Sequence, residues 1–82
     1  MKTEKIVTVS ENSYLLTNQA GQLVKAANSF GGKISIAYDE YRLNAKSLLG
    51  MLMLKVAVGD KITITPEGDD AIDAVEALAK LI

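Results

Sequence analysis

The 82-residue chain contains no cysteine and no histidine. The first absence excludes disulfides, thiol chemistry and thiolate metal sites. The second removes the side chain that most often acts as base, nucleophile or metal ligand near neutral pH. Together they leave a transition metal only oxygen ligands, a poor donor set. No Ser-His or Cys-His arrangement can be assembled either. No cofactor, metal or enzymatic activity is therefore expected. Long apolar runs are missing too. Hydrophobic residues make up 49% of the chain, but no run approaches the roughly 18 residues a spanning helix takes. Met1-Lys2-Thr3-Glu4-Lys5 leads into an alternating stretch and not into the apolar core of a secretion signal. A cytoplasmic protein without membrane contact is the expectation. Charge of one sign is not concentrated along the sequence: 9 basic residues stand against 10 acidic ones, and Arg42 is the only arginine. That pattern offers no footprint for nucleic acid. Repeats, linkers and low-complexity segments are absent.

What is present suffices for one domain, residues 1–82, with a sheet and a helical layer. Residues 4–10 alternate, setting Ile6 against Val7 and Val9, as in a half-buried strand. From Asn18 to about Ser29, Ala20, Leu23, Val24 and Ala27 recur at helical spacing. Thr17 or Asn18 can cap this helix, and Gly31-Gly32 stop it. Lys33–Tyr38 alternates again, Asp39-Glu40 turn, and Tyr41-Arg42-Leu43 return, which reads as a hairpin. A short helix is expected from Lys46 to about Leu54. Gly59-Asp60 break the chain before a fourth strand, residues 61–65. Pro66, Gly68, Asp69 and Asp70 lead into a last helix, with the stripe Ile72, Val75, Ala79 and Ile82 and acids suited to its first turn. The order βαββαβα implies an α+β open-faced sandwich: a four-stranded sheet covered on one face by three helices.

Asn44-Ala45-Lys46-Ser47-Leu48-Leu49-Gly50, in register with that order, resembles the HPr family, the phosphocarriers of the bacterial sugar phosphotransferase system. Leu23-Val24, Ala27 to Phe30, Gly59, Ile62-Thr63-Ile64 and Gly68 extend the likeness over essentially the whole chain. It implies the HPr-like fold with an antiparallel sheet. The family's usual Gly-Ile-His-Ala-Arg-Pro-Ala before the first helix is replaced by Tyr14-Leu15-Leu16-Thr17-Asn18-Gln19-Ala20. Leu16 thus stands at the histidine position, Asn18 at the arginine and Gln19 at the proline. Leucine has no nucleophilic atom. The resemblance therefore implies a branch that cannot carry phosphohistidine, like the catabolite-repression HPr-like proteins. Asn18 and Gln19 could still donate hydrogen bonds to an anion there, although capping alone also accounts for Thr17 and Asn18.

In Gram-positive relatives the serine matching Ser47 is phosphorylated by a dedicated kinase, and the product binds a LacI-type transcriptional regulator. The resemblance implies the same for Ser47, with Lys46 as the neighbouring cation. A plain helix cap is the alternative. The short helix is apolar at nearly every position. A helix lying on a sheet buries only a stripe, here Met51 and Leu54 with one neighbour. Some of Leu48, Leu49, Leu52 and Met53 should then face water. With Leu16 they would form a docking patch for kinase, regulator or phosphotransferase components, and the patch also allows weak self-association. Asp39-Glu40 and Glu67-Asp69-Asp70 fit turns and a helix start better than acid–base chemistry. The leading expectation is a non-catalytic regulatory binding module in carbon catabolite regulation, switched by phosphate on Ser47. The alternatives are a constitutive docking protein competing for phosphocarrier partners and a diverged or engineered variant kept for its fold.

Overall fold

Alternating segments pair and one helical stripe covers them, as the periodicities require. The computed structural model describes residues 3–16 and 19–82. In chain order the elements are β1 (Lys5–Thr8), α1 (Ala20–Asn28), β2 (Ile34–Tyr38), β3 (Tyr41–Asn44), α2 (Leu48–Met53), β4 (Lys61–Pro66) and α3 (Ala71–Ala79). The sheet runs β1-β4-β2-β3, antiparallel throughout. Val7 opposes Ile62 and Ile36 opposes Ile64. Residues directly opposite share a face, so these side chains point together towards the helices. Ile6 opposes Thr63 on the other face and is 67% exposed. Leu23 and Ala27 of α1, Met51 of α2, and Ala74, Val75 and Leu78 of α3 close the core from above.

Three local expectations are corrected. α1 begins at Ala20, two residues later than the stripe suggested, with Gln19 at its N-cap. The Gln19 carbonyl accepts from the Gln22 and Leu23 amides (2.9 and 3.2 Å). Thr17 and Asn18, the expected caps, lie outside the described residues. Second, α1 ends at Asn28, with Ser29 as its C-cap in right-handed conformation (φ −77°), and neither Gly31 nor Gly32 has positive φ. Gly32 is needed for space: a Cβ there would lie 1.8 Å from the Glu67 carbonyl oxygen. Third, Ile72 is 62% exposed, while Ala74, Val75 and Leu78 are buried. At about 100° per residue, Ile72 lies roughly 200° round the helix from Ala74. Val75 and Ile82 are buried as expected.

At the entry to α3, Asp70 makes no side-chain cap. Its Oδ2 accepts instead from the Gly31 amide (3.1 Å). The exit of α1 is thereby tied to the entry of α3. Asp73 is the acid in the first turn, where it complements the helix dipole.

Candidate docking and phosphorylation site

Every residue of the Asn44–Gly50 motif that resembles the family has a local structural task. Asn44 Oδ1 accepts from the Lys46 amide (2.8 Å) and its carbonyl from the Ser47 amide (3.0 Å), which folds the chain into a turn. Ala45 is fully buried, and its amide donates to the Ile34 carbonyl (2.9 Å). Ser47 is extended (φ −104°, ψ 118°), and its Oγ accepts from the Gly50 amide at 3.1 Å. That is an N-cap, worth about 1 kcal/mol. At Gly50 a Cβ would lie 3.3 Å from the Asn44 carbonyl oxygen and 3.4 Å from Ser47 Cβ. The cap and the turn pack too closely to admit a side chain comfortably.

The turn is bolted to the end of α1. Lys46 Nζ donates to the Phe30 carbonyl (2.5 Å). Asn28 Nδ2 donates to the carbonyls of Val24 (2.9 Å) and Lys46 (3.2 Å). A cation beside the last carbonyls of a helix meets its negative end. The Lys46 ammonium therefore points at α1, while its backbone adjoins Ser47. These two side-chain contacts position the site, and sequence reasoning missed both. Their acceptors are backbone carbonyls, which leave no residue-type signal.

α2 carries no charged residue. It buries Met51 (2% exposed), and Leu54 beyond its end is buried too. Leu48, Leu49, Leu52 and Met53 are 47%, 69%, 57% and 60% exposed. Four of the five expected docking side chains thus lie together on the outer surface of one helix. Leu16, in the connection before α1, is 36% exposed. Its amide donates to the Ser13 carbonyl at 3.0 Å, and the Leu15 amide donates to Ser13 Oγ at 3.1 Å. Gln19 is exposed, and Asn18 falls outside the described residues.

Elsewhere, Asp39 takes positive φ (56°) in the two-residue turn of the β2–β3 hairpin. Primed hairpin turns require such a conformation, and Asp tolerates it. The Asp60 carboxylate beside Tyr38, at the end of β2, is the main cause that holds its phenol pKa above the usual value, with burial and the negative charge of Asp39 adding to it. Among the described residues no cluster of three His, Cys, Asp or Glu could hold a metal ion. Nor is any helix among them long and apolar enough to cross a membrane.

A family profile, PTS-HPr, described as the PTS HPr component phosphorylation site, matches residues 3–82. This chain belongs to the HPr family. It is 38% identical over 79 residues to the HPr-like protein Crh of Halalkalibacterium halodurans, covering 96% of this chain and 94% of that protein. It is 35% identical over 81 residues to the phosphocarrier protein NPr of Shewanella violacea, covering 99% and 89%. The crystal structure of phosphocarrier protein HPr from Bacillus anthracis strain Ames superposes with a TM-score of 0.90 at 41% identity, covering 99% and 96% of the two chains. The βαββαβα open-faced sandwich is thus the HPr fold. HPr-family proteins of the phosphotransferase system are carriers and not enzymes, and they interact with other proteins of that system.

Proposed function

We propose that this HPr-family chain is a one-domain, cytoplasmic regulatory module that cannot carry phosphohistidine and acts by binding proteins. Imidazole attacks phosphorus because its neutral form is populated near neutral pH. This chain has no histidine anywhere, and Leu16 stands where the family's pattern has one. Its partners are an HPr-type kinase, a LacI-type transcriptional regulator or phosphotransferase components. Nucleic acid and membrane are not direct partners, and no cofactor takes part.

The observation that carries the reading is the outer face of α2. Leu48, Leu49, Leu52 and Met53 stay in water, immediately after a serine at the N-cap. Clustered exposed side chains of this kind mark interaction surfaces. Phosphate on Ser47 Oγ would add close to two negative charges at the edge of that face. Lys46 is the nearest cation in sequence, and its ammonium would leave the Phe30 carbonyl to pair with the phosphate. The switch consists in changing the charge beside an apolar docking surface.

The test is intact-mass analysis after incubation with HPr kinase and ATP, with Ser47→Ala alongside. One phosphate adduct in the wild type and none in the variant is expected. Equal labelling of both would remove Ser47 from the switch. No adduct, under conditions that modify a true HPr, would favour a constitutive docking protein that competes for phosphocarrier partners. One observation favours that second reading: the structural tasks of Asn44, Ala45, Lys46, Ser47 and Gly50 account for the motif without phosphorylation.

A further inference from the structure

Basic and acidic residues are interspersed along the sequence, yet the fold sorts them. No carboxylate occurs in residues 12–38 or 41–59, which include α1 and α2, whereas the exposed Lys25 and Lys55 do; Lys46 is half-buried and spends its ammonium on the Phe30 carbonyl. Lys25 is exposed and precedes Asn28 by one helical turn, so it lies on the flank of α1 from which Asn28 reaches the α2 turn. The uncharged face of α2 therefore has a cationic rim. α3 is the reverse. Glu67, Asp69, Asp73 and Glu76 are exposed around its first half, and Ile72 stands among them 62% exposed. One face is apolar within lysines, the other apolar within carboxylates.

The two faces cannot meet within one molecule. α3 packs on β4 and β1, α2 packs on β3, and α1 contacts both helices. In the sheet order β1-β4-β2-β3 this sets α2 and α3 on opposite flanks of the helical layer. They can meet between molecules. We propose that the α2 face of one copy docks the Ile72 face of α3 of a second copy, a heterologous contact steered by opposite charge. An α2–α2 contact would bring two lysine rims together, and an α3–α3 contact two sets of carboxylates. A patch of a few exposed side chains falls well below the area of a stable interface, so the contact is weak and transient. Because each copy keeps one face of each kind free, association continues past the dimer. The proposal rests on reading α2 as a docking face, but its second half, α3, is independent of that reading.

Sedimentation equilibrium from micromolar to millimolar protein tests it. The weight-average mass should climb past that of a dimer, and salt at about 1 M, where screening acts within about 3 Å, should reduce the association. Leu49→Glu spoils only the α2 face and Ile72→Lys only the α3 face; both positions are exposed, and circular dichroism checks the fold. Each variant alone should associate at least about tenfold more weakly than the wild type. Mixed, they should form a one-to-one dimer and stop there, since only one matched pair of faces remains. A wild type that stays monomeric at millimolar concentration overturns the proposal. So does association undiminished in Ile72→Lys, or a mixture that forms no dimer. Capture of a phosphotransferase partner by Ile72→Lys, which keeps the α2 face, tests the docking reading separately.

Discussion

Gly31 and Gly32 are adjacent and chemically identical, yet the fold asks different things of them. A Cβ at Gly31 would meet nothing within 4 Å, whereas one at Gly32 would run into the Glu67 carbonyl. Neither needs positive φ. Gly31→Ala should therefore be neutral or stabilise by up to about 1 kcal/mol, by restricting the unfolded chain. Gly32→Ala should cost about 1–3 kcal/mol, because backbone must shift to admit the methyl. Urea denaturation of the pair checks this, and equal effects would contradict it. The sequence marked both as a helix stop and could not separate them, since the difference lies in the chain that returns at Glu67. Tyr38 poses a similar problem. Its phenol pKa is raised mainly by the neighbouring Asp60 carboxylate, so the folded state holds this proton more tightly than the unfolded one. The contribution to stability is fully present below the usual phenol pKa and is lost as pH rises through the raised folded value. In an absorbance titration of the 3 tyrosines, one should ionise late, and Asp60→Ala should move it back. A late phenol unmoved by that variant would exclude Asp60 as the cause.

Among the elements, α2 was the most legible and α3 the least. The apolar excess of α2 was evident from residues 48–54 alone, because a short helix on a sheet has one buried side. Met51 and Leu54 took that side. In α3 four alanines leave few large apolar residues to mark the stripe, and Ile72, expected in the core, does not enter it. The caps were least predictable: Asp70 and Lys46 spend their side chains on the backbone of the α1 exit and not on their own helices. The division within α2 has a measurable consequence. Leu49→Glu should change stability by no more than about 0.5 kcal/mol, since the residue is largely in water. Met51→Ala should cost about 2–5 kcal/mol by emptying core volume. A Leu49→Glu loss as large as that of Met51→Ala would mean that α2 packs the other way round.

For the whole molecule, the element order followed from the strand and helix periodicities, but the strand order β1-β4-β2-β3, the register and the closure of the chain did not. The connection after β1 is pinned to the far end of the sequence. Ser10 donates to the Ile82 carbonyl through both its amide (3.0 Å) and its Oγ (2.9 Å). The Tyr14 amide donates to the Leu81 carbonyl (2.8 Å). These are backbone acceptors, invisible to residue-type patterns, and what holds them in place is the buried side chain of Ile82. The same connection carries Leu16, so the anchor and the candidate docking residue belong to one cooperative unit. Ile82→Ala should cost about 2–5 kcal/mol by leaving a cavity. Its effect should also be local. The Ser10 and Tyr14 amides should exchange hydrogen faster than in the wild type by a larger factor than the amides of β4. If protection falls by the same factor at Tyr14 and Ile64, the residue serves only the global core. If Tyr14 alone falls further, the C-terminal residues clamp the segment that presents Leu16, and loosening them tunes the docking surface without touching it.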